Sequence, residues 1–352
     1  MKRSLKSRHI QLMALGGTIG TGLFLGSGQA IHSAGPAILL AYIITGIVCF
    51  WIMRALGELL MADLNYRSFV DAIRVYLGPR VSFITGWAYW ACWIALAMAE
   101  ITAIGMYFQL WLPHVPQWIP GLLTLIVLLC INLITVSAFG ELQFWFALIK
   151  ILAIALLVLV GVGMMLVSFK STSGYVASPE NLFNNGGFFA AGTKGFILSF
   201  QMVVFAFVGI EMVGMTAAEA ENPRHVIPRA INAIPFQILL FYVAALAVIM
   251  CIYPWDRLAP SKSPFVMVFN DIGLRGAASL INFVVVTAAA SACNSSLYTT
   301  GRMLAELTST SHRPGIRLVS KLSRNSVPAL AVIISAGVIA IAAVLNLIMP
   351  GG

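Results

Sequence analysis

Apolar runs long enough to cross a bilayer alternate with short polar segments along the whole chain. Charge-free stretches cover residues 10–31, 35–53, 81–99, 121–140, 142–169 (interrupted by Lys150), 195–218 (interrupted by Glu211), 230–253, 276–301 and 328–352. A helix needs roughly 20 apolar residues to cross the hydrocarbon, so this pattern predicts nine spans. The segments between them, of which 62–80, 170–193, 254–275 and 303–327 are the longest, are loop-sized. The expectation is one all-α integral membrane domain over 1–352, with no separate soluble domain.

The first span contains a pattern that an ordinary membrane helix does not need. "ALGGTIGTGLFLGSG" carries Gly16, Gly17, Gly20, Gly22, Gly26 and Gly28 within a charge-free run. Close helix packing uses small residues at four-residue spacing. Here Gly17, Gly20 and Gly22 point to different sides of a helix, which fits unwound backbone. In hydrocarbon, unwound backbone is tolerated only where it lines a polar cavity or is buried in protein. Such a break leaves free N–H groups at the start of the outer half-helix, suited to a carboxylate. It leaves free carbonyls at the end of the inner half, suited to an ammonium or another cation. The sixth span, "VVFAFVGIEMVGMTAAEAENP", is interrupted at Gly209, Glu211 and Gly214. Two interrupted helices, each opening a five-helix half, point to an inverted-repeat transporter. A pair of breaks of this kind can meet both charges of an amino acid.

Composition supports the bilayer as solvent: 60% of the residues are hydrophobic and only 9% charged, against about a quarter charged in soluble domains. The net charge of +9 is spread over short loops, so it does not indicate nucleic acid. With the N-terminus inside, the inner segments hold Lys2, Arg3, Lys6, Arg8, Arg67, Arg74, Arg80, Arg224, Arg229, Arg302, Arg313, Arg317, Lys321 and Arg324. The outer segments hold only Lys170, Arg257, Lys262 and Arg275. That bias predicts a cytoplasmic N-terminus. The five cysteines lie in apolar stretches without metal-ligand spacing, and no cleavable signal peptide is visible. The histidines fall in loops or at span ends, with no HExxH or nucleophile elbow, so an enzyme is not expected, nor any cofactor or metal. A passive pore would explain the glycines but not the paired breaks.

Charges inside the membrane are costly and are functional candidates. Lys150 lies mid-span in "WFALIKILAI" and Glu100 in "AMAEITAIGMY". Glu100 is read either as a helix–helix hydrogen bonder or as a cavity group. Glu211 is read either as a partner for backbone freed by the second break or as a proton-coupling group. Arg54 and Glu58, four apart, form a structural pair, and Arg302 is an interfacial anchor. Ser291, Asn294, Ser295 and Tyr298 make a polar face on the eighth span that lines the cavity or joins helices.

The segments "SRHIQLMALGGTIGTGLFLGSG", "GPAILLAYIITG", "MRALGEL", "FALIKILAI", "FAFVGIEMVGMTAAEAENP", "IPRAINAIP", "SPFV" and "INFVVVTAAASACNSSLYTTGRML" resemble the bacterial amino acid permeases of the amino acid–polyamine–organocation superfamily, over essentially the whole chain. The resemblance implies a LeuT-like five-plus-five inverted-repeat fold, with 1–169 as the first repeat and 190–352 as an incomplete second one. Members usually have twelve spans. Nine therefore implies a C-terminally truncated chain, and uptake that requires the missing spans. It also implies proton symport of small neutral amino acids (glycine, D-alanine, D-serine, L-alanine) across the bacterial cytoplasmic membrane. A permease for aromatic amino acids, proline, histidine or threonine, or a truncated fragment that does not transport, remains the alternative. At matching positions it implies a carboxylate site on the N–H groups of Thr21 and Gly22, beside Gly20. The ammonium would meet carbonyls near Thr18 and Ile19 and, on the sixth span, near Phe205 and Val208. Phe205 would gate the site and, with Phe207, keep it small. Lys150 would be the proton-responsive group, with Glu100 and Glu211 as further coupling candidates.

Overall fold

The computed structural model describes residues 12, 15–63, 66, 68–171, 174–216, 222–258, 263–271, 276–309, 311 and 313–348. Lys2, Arg3, Lys6, Arg8, Arg67, Lys262 and Arg275 lie outside the described residues, as do the start of the first predicted span, "AAEAE" after the second break, and residues 349–352. Among the described residues the fold is helical, and the one extended pairing is an isolated bridge between Lys170 and Val176.

The first span is helical at 15–18, leaves the helix at Ile19 and Gly20, and resumes as α1 (Thr21–Phe24) and α2 (Gly26–Ala34). A 3₁₀ turn over Gly35–Ala37 carries the chain into α3 (Ile38–Ala62). Next come α4 (Phe69–Leu77), α5 (Pro79–Phe108), α6 (Trp118–Ile134) and α7 (Val136–Leu166). The sixth predicted span is α8 (Gly192–Phe207) and the short α9 (Met212–Thr216). The chain continues through α10 (Pro223–Ile252), α11 (Pro264–Asp271), α12 (Ala277–Ser309), α13 (Pro314–Arg317), α14 (Ala329–Ile339) and α15 (Ile341–Ile348). Local chemistry fixes several starts. Ser68 Oγ caps α4 by accepting from Val70 N at 3.1 Å, and Thr135 Oγ1 caps α7 by accepting from Ala138 N at 3.0 Å. Proline opens both α5 and α10, where its missing N–H costs nothing.

Seven helical runs among the described residues are long and apolar enough to cross a membrane, against the nine spans expected. The difference has two sources. The C-terminal half of the broken first span runs through the 3₁₀ turn into α3 as one stretch, Gly26–Ala62. Trp118–Ile134 is apolar but only 17 residues long.

α12 is the central helix: its most apolar window is 89% buried, and it packs against α5, α7, α6 and α14. α2 packs against α8, α3 against α10, and α5 against α12. Loops gather at two ends. At one end Asn325 Nδ2 donates to Ile134 O at 2.6 Å, tying the segment before α14 to the end of α6. At the other, Asn181 Nδ2 donates to Cys251 O at 2.7 Å and Trp255 Nε1 to Asn185 O at 2.9 Å. Ile47, Val48, Trp51 and Ile52 on α3 and Leu152 and Leu159 on α7 are exposed, an outer surface suited to lipid rather than water.

Candidate functional site

The two interruptions lie against each other. A Cβ on Gly22 would come within 3.0 Å of Ala206 Cα and 3.3 Å of Phe205 Cδ1. A Cβ on Gly209 would come within 3.1 Å of Gly17 O and 3.2 Å of Thr18 Cα. Gly209 has φ of +112°, a conformation that side-chain-bearing residues rarely adopt. Small residues therefore let the backbones of both breaks touch at the centre of the molecule.

At the first break the ladder of helix hydrogen bonds stops, and Gly20 N turns back to Thr18 O at 3.0 Å. The freed carbonyls on the N-terminal side of the break are held by side chains. Lys150, fully buried on α7, donates from Nζ to Gly16 O and, at 2.6 Å, to Ile19 O. Ser291 Oγ adds a donor to Gly16 O at 3.3 Å. The Tyr242 hydroxyl lies 3.1 Å from Thr18 O and 2.9 Å from Ala206 O, with one proton to offer between the two breaks. On the C-terminal side of the break the donors are met by a carboxylate. Glu100 Oε1 on α5 accepts from Thr21 N at 3.2 Å and from Thr21 Oγ1 at 3.0 Å. A Cβ on Gly20 would lie 2.6 Å from that oxygen, so the carboxylate reaches the backbone only because Gly20 has no side chain. Glu100 Oε2 is buried without a hydrogen-bond partner among the described residues. The break thus holds an ammonium on its carbonyl side and a carboxylate on its N–H side, both supplied by the protein.

At the second break Val208 leaves the helix at ψ of 131° while its N–H still donates to Phe205 O at 3.2 Å. Glu211 closes the turn: Oε2 accepts from Gly209 N at 2.9 Å and Oε1 from the Tyr89 hydroxyl at 3.2 Å. Phe205 faces Gly22 across the gap. Phe207, by contrast, is buried against Tyr42 and Tyr242, with ring centroids at 6.1 and 5.6 Å.

The polar face of α12 is drawn into a helix-joining network. Gln143 Nε2 donates to Ser291 Oγ and Ser295 Oγ, both at 2.8 Å, and Asn294 Nδ2 donates to Gln143 Oε1 at 3.1 Å. Asn132 Nδ2 donates to Asn294 Oδ1 at 2.7 Å. All five residues are buried, and the network ties α6 and α7 to α12 directly behind the first break. Tyr298 stacks on Phe139 at 4.2 Å, and Arg302 lies over its other side with the guanidinium carbon 3.5 Å from the ring centroid. Arg302 is therefore buried on a ring rather than free at the interface. Arg54 and Glu58 do pair, at 3.3 Å. Tyr242, Gln143, Asn132 and Tyr89 were not singled out from the sequence. Their one signal was a polar tip inside an apolar helix, which has to find a partner when buried.

The amino acid permease family model matches residues 9–351. The chain belongs to the amino acid permease family. It is 61% identical to the "Amino-acid permease AapA" of Bacillus subtilis (strain 168), over 99% of this chain and 75% of that one. It is 50% identical to the "D-serine/D-alanine/glycine transporter" of Escherichia coli (strain K12), over 94% of this chain and 70% of that one. Among solved structures it is similar to a Na⁺-coupled sialic acid symporter in its substrate-bound outward-open state, with a TM-score of 0.64 at 12% identity, over 98% of this chain and 74% of that one. That likeness extends the LeuT-like transporter fold to this chain. The permease is accordingly a multi-pass membrane transport protein.

Proposed function

We propose that this permease imports small neutral amino acids, with glycine, D-alanine, D-serine and L-alanine as the class, by proton symport across the bacterial cytoplasmic membrane. In this reading the N-terminus is cytoplasmic and the chain makes nine crossings as one transmembrane domain, with the first repeat at 1–169 and the second at 190–352. The substrate class is supported by the similarity to the D-serine/D-alanine/glycine transporter.

The observation that carries the reading is the pair of charges at the first break. Lys150 and Glu100 meet the carbonyl side and the N–H side of one backbone gap, as the two ends of a zwitterion would. A substrate carboxylate directed to Thr21 and Gly22, beside Gly20, competes with Glu100 for the Thr21 N–H. The substrate ammonium turns to the carbonyls around Thr18 and Ile19 and, across the gap, Phe205 and Val208. Protonated Lys150 holds the inner half-helix through Gly16 O and Ile19 O. Without its proton it loses the charge-assisted part of that grip, and the half-helix is free to move. Protonation of Glu100 weakens its hold on Thr21 and clears the carboxylate site. A proton thereby biases a two-state element in which the substrate also takes part. Glu211 is assigned to the second break, as the group that satisfies the Gly209 N–H and accepts from the Tyr89 hydroxyl. Phe205 closes over the site and Phe207 limits its size through Tyr42 and Tyr242. Ser291, Asn294 and Ser295 back the site through Gln143.

Competition of labelled glycine binding by D-serine, D-alanine, L-alanine, tryptophan and arginine tests the class. The small amino acids should displace glycine and the large ones should not; preference for tryptophan or arginine would contradict the assignment. Collapse of glycine accumulation by a protonophore separates a carrier from a pore.

A further inference from the structure

A second polar site lies far from the breaks, at the loop end shared by α4, α5, α12 and α13. A cavity of about 580 Å³ is lined by Asp71 and Arg74 of α4, Ser82 and Phe83 of α5, Glu306 of α12, and Arg317 of α13. Two stretches that are distant in sequence, α4–α5 and α12–α13, meet there. The lining carries two guanidinium groups and two carboxylates, so its charge is mixed and nearly balanced. Neither the Arg74 nor the Arg317 side chain makes an ion pair or hydrogen bond among the described residues, although both line the same hollow. The carboxylates are engaged: Glu306 Oε1 accepts from Ser68 Oγ at 2.8 Å, and Asp71 is also partnered. A carboxylate has about four lone-pair sites, so each can accept a further N–H. Beside the cavity, Val75, Tyr76, Leu77, Phe83 and Ile84 are between 58% and 67% exposed. That apolar rim on a short helix next to a membrane span is where acyl chains lie.

We propose that this cavity is a headgroup site for a phospholipid that carries a phosphate and a primary ammonium, phosphatidylethanolamine. The phosphate lies on Arg74 and Arg317, for which bidentate guanidinium contacts are suited. The ammonium lies toward Asp71 and Glu306, and the acyl chains run along Phe83, Ile84 and Leu77. Both charge signs in the lining disfavour a purely anionic headgroup. Exposed apolar neighbours favour a lipid over a soluble phosphate ester. The bound lipid would clamp α4 and α13 to α5 and α12, the two long helices that also carry Glu100 and Ser291.

The test is native mass spectrometry of the detergent-purified chain titrated with phosphatidylethanolamine, phosphatidylcholine, phosphatidylglycerol and soluble glycerophosphoethanolamine. Phosphatidylethanolamine should be retained about tenfold more strongly than phosphatidylglycerol or phosphatidylcholine and should raise the thermal midpoint. The Arg74→Gln/Arg317→Gln variant should lose that retention, and Arg74→Lys/Arg317→Lys should recover part of it. Both arginines are exposed, and unchanged circular dichroism and elution confirm that the variants are folded. Asp71→Asn should narrow the preference over phosphatidylglycerol. Equal retention of all three lipids, or retention unchanged in the Gln variant, would overturn the proposal. Soluble glycerophosphoethanolamine binding as tightly as the lipid would overturn the lipid as occupant.

Discussion

Lys150 and Glu100 grip the first break from its two sides, and each substitution there has a distinct expected outcome. Glu100→Gln keeps an acceptor near Thr21 but removes its charge, so a substrate carboxylate competes against a weaker internal partner. Glycine should bind more tightly at neutral pH, by up to about tenfold, equal to roughly 1.4 kcal/mol, and its pH dependence should flatten. Isothermal titration at several pH values measures both. Gly22→Val puts a branched side chain against Ala206 and Phe205, where even a Cβ sits at 3.0 Å. It should abolish glycine binding; a folded Gly22→Val protein that binds normally would remove the carboxylate site from this break. The residues with formal charge in apolar runs were legible in the sequence, because nothing else explains their cost in a bilayer. Their uncharged partners were not. Gln143, Asn132 and Tyr242 reach across from other helices, and no local pattern states which helix faces which.

At the level of elements, the glycines marked both interruptions correctly to within a residue or two: the chain leaves the helix at Ile19 and Gly20 in one case and at Val208 and Gly209 in the other. They marked them because backbone without helix bonds has to lie close to other backbone here, and only small residues allow it. The extent of each helix was harder to read. Charge-free length does not reveal that the C-terminal half of the first span continues into α3 through a 3₁₀ turn, or that α6 is cut to 17 residues by Thr135 capping the next helix. The link between the two breaks is Tyr242. Tyr242→Phe leaves Thr18 O and Ala206 O without that donor, at a cost of about 1–3 kcal/mol for a buried group left unsatisfied. Thermal stability should fall, and glycine binding should weaken because the breaks lose their shared register. Unchanged stability and binding would mean that the hydroxyl carries no such load. Phe205→Ala should widen the competitor range in the binding panel toward larger side chains.

The whole molecule places a buried scaffold helix, α12, behind a pair of broken helices, with α2 packed on α8, α3 on α10 and α5 on α12. Such an arrangement couples proton and substrate only if occupancy of one changes the affinity for the other, and linkage makes that coupling measurable from either side. The fold was legible at this scale because apolar length and two breaks point to one class. The closing measurement is equilibrium binding of labelled glycine across the acid-to-neutral range, on wild-type protein and on Lys150→Ala. Wild type should bind more tightly as pH falls, by about tenfold over the range, and Lys150→Ala should bind with a clearly weaker pH dependence, keeping only the part that Glu100 supplies. Wild-type affinity independent of pH, or a pH dependence unchanged in Lys150→Ala, would contradict the coupling role of the Lys150 side of the break.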